Sequence, residues 1–262
     1  MNFKKTSQIF LLILLISSNI ISQTRKTIEL SENWTFKKGE NKNAEKVNFN
    51  DKNWQKVTVP HDWAIYGSFD KEIDKQVMAI TQNGEKEATE KTGRTGSLPH
   101  VGTAWYRNKF NISETDINKK IILLFEGAMS EPQVFLNGKK IGEWAYGYSY
   151  FYFNISKDLI AGENTLAVKL TNKENASRWY PGAGLYRKVS LIIKEKESIN
   201  QWGTFITTPF VSKNEAKVHI KTKVSNESGV LITTIFDANG NEVNQLKSDI
   251  HFNNEFDQNI KV

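Results

Sequence analysis

Apolar residues along the chain gather in short runs that alternate with polar and turn-forming residues. The stretches 56–60 (KVTVP), 121–127 (IILLFEG), 132–144 (PQVFLNGKKIGEW), 164–172 (NTLAVKLTN) and 188–195 (KVSLIIKE) are rich in Val, Ile, Leu and Phe and are bounded by Gly, Asn or Pro. Runs of this kind predict β-strands, and their succession predicts an all-β sandwich. No window of helical period exceeds about ten residues. The stretch INKKIILLF, 117–125, can be drawn as a helix, but its β-branched run and the Glu126-Gly127 that follows favour a strand.

Two Asn-Gly pairs punctuate the pattern. Asn137-Gly138 lies between two apolar-patterned arms and predicts a tight hairpin, because Asn and Gly accept positive φ at little cost. Asn239-Gly240 predicts a second hairpin of the same kind. Between Lys71 and His100 the chain turns polar and loses its periodicity, which predicts a long loop or insertion.

Residues 1–22 read as a secretory signal peptide: Lys4 and Lys5 precede an apolar run from Ile9 to Ile16, and small and polar residues end it near Ser22. Ser17, Ser18 and Asn19 cut that run short of the roughly 20 apolar residues of a membrane span. The expected product is exported, periplasmic or extracellular, with no membrane segment in the mature chain. The charged run 194–198 (KEKES) marks a second boundary. Residues 23–196 are then a first sandwich and 197–262 part of a second. About five short strands are expected in the latter, fewer than an immunoglobulin-like fold of about 100 residues contains, so the chain is expected to stop inside its second domain.

Composition narrows the chemistry. The chain has 262 residues and no cysteine, which removes disulfides, thiolate metal sites and cysteine nucleophiles. Its formal charge of +6 comes from lysines scattered among acids, without the clustered basic stripe of a nucleic-acid binder. His61, His100, His219 and His251 lack metal-ligand spacing, and neither a metal nor another cofactor is expected. His61 and Asp62 adjoin on a strand end and so point apart, which favours structural or rim roles over a base and its orienter. Asn-Glu pairs at 214–215, 226–227, 241–242 and 254–255 read as turn residues rather than glycosidase acids. No nucleophile elbow, phosphate loop or dinucleotide glycine pattern occurs.

Aromatic residues are the stronger signal. Seven tryptophans and the tract 143–153 (EWAYGYSYFYF) offer faces that stack on sugar rings, although core packing is the expected role for most of the tryptophans. The segment 177–187 (SRWYPGAGLYR) sets Trp179 and Tyr180 at the start of a turn built by Pro181, Gly182 and Gly184.

In order along the chain, 30–39 (LSENWTFKKG), 55–65 (QKVTVPHDWAI), 102–110 (GTAWYRNKF), 123–142 (LLFEGAMSEPQVFLNGKKIG), 164–172 and 177–192 resemble the amino-terminal part of a family 2 glycoside hydrolase, a family of β-galactosidases, β-glucuronidases and β-mannosidases. The resemblance runs from about Leu30 to Ile193. It implies a jelly-roll (galactose-binding-like) sandwich, then an incomplete immunoglobulin-like sandwich. The TIM barrel that holds both catalytic glutamates in such enzymes is missing, so this chain has no catalytic residue of its own and is expected to be inactive alone. The implied partners are a β-glycoside carbohydrate and that barrel. By the resemblance, Asp62, Trp63, Arg178, Trp179 and Tyr180 border the substrate or the barrel, with Trp63, Trp179 and Tyr180 forming an exposed apolar face. Two roles stay open for Arg178, a carbohydrate or carboxylate contact and an interdomain ion pair. The best-known β-galactosidases place an acidic residue near the position of Arg178 and an Asn where Val101 falls, so the sugar is left open. The alternative is a stand-alone carbohydrate-binding module.

Overall fold

The computed structural model describes residues 25–73, 75–92, 96–174 and 182–262. The first strands are β1 (Arg25–Glu29), β2 (Trp34–Lys38), β3 (Gln55–Val57), β4 (Lys75–Met78), β5 (Thr89–Thr92) and β6 (Gly102–Ile112). Next come β7 (Lys120–Phe125), β8 (Gln133–Leu136), β9 (Lys139–Glu143), β10 (Phe151–Asn154), β11 (Gly162–Asn172) and β12 (Val189–Lys194). The last five are β13 (Ile199–Val211), β14 (Ala216–Val224), β15 (Ser228–Phe236), β16 (Glu242–His251) and β17 (Glu255–Lys261). The chain is all-β, as the hydrophobic pattern requires.

Two antiparallel sheets form the jelly-roll sandwich, one in the order β1-β12-β7-β10 and the other in the order β3-β2-β6-β11-β8-β9. Its spine is the pairing of β6 with β11 from Gly162↔Ile112 to Asn172↔Gly102. Alternate side chains of the facing sheets meet in one core, where Ile121, Leu123, Phe125, Val134, Leu166, Val168, Leu170, Leu191 and Ile193 are buried. The stretch 117–125 contributes to β7, a strand and not a helix.

The outer face of the larger sheet is covered too, by the connection between β2 and β3. Trp105 and Ala167 pack there with Ala44 and Trp54. Arg107, on the same face and 2 % exposed, is held by Asp51 at 3.0 Å and donates to the carbonyls of Ala44 and Lys46. A guanidinium buried this far is tolerated because a carboxylate neutralises it and two carbonyls accept from its fork. Trp34, Trp54, Trp63 and Trp105 are all buried, so core packing claims most of the described tryptophans.

Leu136↔Lys139 closes the β8–β9 hairpin, with Asn137 at φ 51° and Gly138 at φ 85°. The β15–β16 hairpin departs from its expected geometry. Of the Asn239-Gly240 pair only Gly240 has positive φ, at 86°. Asp237 organises the turn instead: its carboxylate accepts from the Asn241 side-chain amide at 3.0 Å and from the backbone N–H groups of Asn241 and Asn239, both at 2.8 Å, and these bonds, the side-chain one foremost, hold that carboxyl below the usual range. The stretch from Lys71 to His100 also differs from a plain loop, since it holds the β4–β5 hairpin and a 3-10 turn at Thr81–Asn83.

The five final strands make two small sheets, β13-β14-β17 and β15-β16, of an immunoglobulin-like sandwich. They are longer than expected, but their shared core is small, comprising Val224, Leu231, Ile250 and Phe256. Val230, Ile232, Phe205 and Ile206 are each more than half exposed. Resistance to local opening follows buried apolar contact. In hydrogen exchange, backbone amides of β15 and β16 are therefore expected to exchange at least about a hundredfold faster than those at the centres of β6 and β11, about 2.7 kcal/mol less protected. Equal protection in the two sandwiches would show that their cores are equally stable.

Candidate functional site

One end of the jelly roll gathers the residues that the sequence singles out. The chain leaving β3 crosses this end as residues 58–66, and the chain entering β12 returns across it as residues 182–188. His61 N–H donates to Leu185 O at 2.8 Å, and Trp63 N–H to Ala183 O at 2.8 Å. On the opposite side, Met129 and Gly184 exchange both backbone bonds at 2.9 Å. Residues 183–185 thus form a short rung between two other segments.

Gly184 has a reason to lack a side chain. Its φ is 133°, and a Cβ there would run into the His61 carbonyl and the Tyr106 hydroxyl. Below it lies a polar relay in an apolar surround. Tyr106 is fully buried, and its Oη lies 2.7 Å from His61 Nδ1. The backbone N–H of Leu185 donates to the same oxygen, and the Tyr106 hydroxyl also lies 3.5 Å from the His61 carbonyl. Burial lowers the pKa of His61 against the opposing charge of Asp62, and burial raises that of Tyr106 well above its usual value.

Asn172, the last residue of β11, closes the next segment. Its Nδ2 donates to His100 O at 3.0 Å and to Gly182 O at 3.2 Å, while Ser130 Oγ donates to its Oδ1 at 2.8 Å. One buried amide therefore ties together the three stretches around His100, Ser130 and Gly182. Arg178, Trp179 and Tyr180 lie outside the described residues; the residues on either side of them, Asn172 and Gly182, are bonded directly.

Asp62 and Trp63 are both in this cluster, in different roles. Asp62 Oδ1 accepts from Ala64 N–H at 2.9 Å, a local turn, and does not orient His61. Trp63 corrects an expectation. It is 5 % exposed and stacks on Phe36 at 5.9 Å between ring centroids, so it belongs to the core and not to an exposed apolar face. The apolar partners around 61–64 draw its indole inward, while its backbone carries the rung to Ala183. Its indole Nε1 has no hydrogen-bond partner among the described residues.

A cleft of about 690 Å³ opens beside the relay, between Tyr66 and the strands β2 and β3. Tyr66 is 77 % exposed and stacks on His61 at 5.7 Å and 18°. Glu32, Asn33 and Gln55 line its polar side. In the tract 143–153 the rings divide by chemistry: Phe151 is buried, stacked between Phe125 and Trp144, whereas Tyr146, Tyr148, Tyr150 and Tyr152 are exposed. The Asn-Glu pairs at 214–215 and 226–227 lie in turns of the second sandwich, while Glu242 and Glu255 open β16 and β17; none of the four glutamates is buried. Tyr106, Gly184, Asn172 and Ser130 were not singled out for this relay and clamp. The glycine between two aromatic segments is the only one of them that carried a local signal.

The family model for the sugar-binding domain of family 2 glycosyl hydrolases matches residues 28–195. Among curated proteins, the chain is 32% identical over 239 residues to beta-galactosidase BoGH2A of Bacteroides ovatus, covering 88% of this chain and 26% of that one. It is 31% identical to a putative beta-glucuronidase of Formosa agariphila, covering 81% and 19%. Among solved structures, a beta-glycosidase from Bacteroides vulgatus superposes with a TM-score of 0.76 at 26% identity, over 90% of this chain and 29% of the other. A Bacteroides uniformis beta-glucuronidase superposes with a TM-score of 0.70 at 27% identity, over 91% and 27%. The chain spans about a quarter or less of the length of these curated relatives.

Two expectations follow from the relay. A histidine whose pKa is lower in the folded than in the unfolded state stabilises fully above the unfolded value near 6.5, and that stabilisation is lost as pH falls through the folded value. Stability measured by denaturant should thus fall on acidification below about pH 6.5, with a smaller fall in His61→Gln. Equal pH profiles would remove His61 from the account. Gly184→Ala should cost more than about 2 kcal/mol, because both the backbone conformation and the space are wrong for a Cβ. A melting temperature within a degree of the parent would contradict that.

Proposed function

From a chain that belongs to glycoside hydrolase family 2, we propose the amino-terminal, non-catalytic part of an exported β-galactosidase-like enzyme, whose longer form cleaves terminal β-glycosides. The observation that carries this reading is the clamp at Asn172. It fixes both ends of the segment that contains Arg178, Trp179 and Tyr180 at the same end of the jelly roll as Asp62 and Trp63. A sandwich that rigidly presents several connecting segments at one end is suited to forming one wall of a site completed by another domain.

In this reading the catalytic barrel carries the two carboxylates of a retaining mechanism. Asp62 and the segment 178–180 border the sugar or the barrel, while the Trp63 side chain packs inside the sandwich. Tyr66 and the polar residues of the adjacent cleft add an aromatic face and hydrogen-bonding groups, the pairing by which proteins hold sugar rings. Export rests on Lys4 and Lys5 before the apolar run Ile9–Ile16. No helix among the described residues is long and apolar enough to cross a membrane.

Chromogenic β-galactoside, β-glucuronide and β-mannoside, offered to this chain and to a longer chain that carries the barrel, test the proposal. The chain alone should release no chromophore. The longer one should prefer the β-galactoside, and Trp179→Ala in it should raise KM about tenfold or more. Hydrolysis by the short chain would overturn the non-catalytic assignment; preference for the glucuronide would overturn the sugar.

A further inference from the structure

Three cations stand in line on the outer face of the four-stranded sheet. Arg25 of β1 pairs in register with Lys194 of β12, and Lys194 with Lys120 of β7. Their neighbours Ile193 and Ile121 point into the core, so the three charged side chains emerge on the opposite face. Side chains directly opposite across antiparallel strands lie about 5 Å apart at Cβ, and like charges so placed repel. Elsewhere on this edge the lysines are balanced: Lys26 faces Asp116 at 3.4 Å, and Lys119 faces Glu195 at 3.2 Å. Arg25, Lys120 and Lys194 enter no ion pair among the described residues.

The segment between the two sandwiches folds over this row. Lys194 is only 6 % exposed, and its Nζ donates to Ile199 O at 2.6 Å. Lys120 Nζ donates to Asn200 Oδ1 at 3.1 Å. Both partners are neutral. A cleft of about 580 Å³ remains at the seam, lined by Arg25 and Lys194 and by Ser198, Gln201 and Thr204, with Glu197 the acid that shares its wall beside the engaged Glu195. A chain that gathers three cations, buries the middle one and gives it only carbonyl support leaves their joint charge opposed in the cleft by Glu197, which forms no ion pair with any of the three.

We propose that this cleft is an oxyanion-binding site, in which a carboxylate, sulfate or phosphate group bridges Arg25 and Lys194 while Lys120 adds positive charge from the neighbouring strand. Gln201 supplies a hydrogen-bonding amide to the lining, while the Ser198 hydroxyl is donated to Glu195 O at 2.9 Å. Burial, followed by the charges of Lys120 and Arg25, brings the pKa of Lys194 down to about 8, which agrees with an uncompensated cation waiting for a counter-charge. The oxyanion can be inorganic or can be carried on a sugar as a uronate. The site lies at the seam of the two sandwiches, so occupancy also ties their relative placement. It stands independently of the proposed glycosidase activity.

Thermal melts of the full chain in sodium sulfate, sodium glucuronate and galactose, each against sodium chloride at matched ionic strength, test it. Sulfate at about 10 mM should raise the melting temperature by about 2–4 °C beyond chloride, in a saturable way. Arg25→Gln, at an exposed position, should fold normally and weaken sulfate binding about fivefold or more; Lys194→Met should abolish the shift. A shift with sulfate alone assigns an inorganic oxyanion, and a shift with glucuronate assigns a sugar carboxylate. The proposal is overturned if sulfate and glucuronate both match chloride, if neutral galactose produces the same shift, or if Arg25→Gln responds as the parent does.

Discussion

The missing side chain at Gly184 is the constraint on which the loop end of the jelly roll depends. Three backbone segments, around His61, Met129 and Gly184 itself, approach one another within hydrogen-bonding distance at one point. A Cβ there would collide with the His61 carbonyl and the Tyr106 hydroxyl. Because the segments can meet, Leu185 reaches the Tyr106 oxygen and Tyr106 reaches His61. A buried phenol and imidazole then meet each other, where either alone would carry a desolvation penalty. The same approach sets Ala183 and Gly182 against Trp63 and Asn172. The bracketing of residues 175–181 therefore follows from the contact at Gly184, one step removed.

What could be read from the sequence was what local physics decides. Alternation of apolar and polar residues located the strands, and Asn137-Gly138 fixed a hairpin because both of its residues must turn left-handed. The same dipeptide at 239–240 misled on geometry, because Asp237 binds the following N–H groups and needs only one positive φ. Trp63 was expected on an exposed face because the resemblance implies a barrel that covers it and that this chain lacks. Its burial depends on Phe36, 27 residues earlier, which no local pattern reveals. Arg107 and Asp51 likewise meet only because the β2–β3 connection wraps over the larger sheet. Residues whose role rests on long-range contact, Asn172 and Tyr106 among them, carry no mark in the string.

The charged run after β12 shows how a surface signal can hide a joint. Read as text, 194–198 is a solvated linker. In the fold, Lys194 is buried, Glu195 pairs with Lys119, and Ser225 Oγ donates to the carbonyls of Lys196 and Ser198. The register of β13 breaks between Ile199 and Thr204, and Trp202 takes a φ of 53° there. Its ring meets Tyr152 edge-on at 4.9 Å and Tyr150 at 6.4 Å. Ile122 and Ile192, on the outer face of the same sheet, are each 1 % exposed. A β-bulge at this place re-aims one large side chain from its own sheet onto the neighbouring sandwich. The second unit is consequently docked through packing and hydrogen bonds, and not merely tethered.

Docking and clamping together bear on the proposed role of this sandwich as one wall of a glycosidase site. Positioning of a substrate relative to catalytic groups is sensitive at the scale of an ångström, and a misplacement of that size costs about a hundredfold in rate. A wall built from free loops would lose that accuracy to thermal motion. Here the rim is anchored by backbone bonds to strands of the sandwich and by one buried amide, and the sandwich is held against the next unit by a ring contact and two lysine bonds. The backbone and amide links are short and neutral, so they are insensitive to salt in a way that surface ion pairs are not, whereas the two lysine bonds carry charge. The row formed by Arg25, Lys194 and Lys120 is the exception, the place in this joint where charge is concentrated without a partner. Rigidity at the rim thus comes from neutral bonds, and any response of the joint to its chemical surroundings must enter through the charged row.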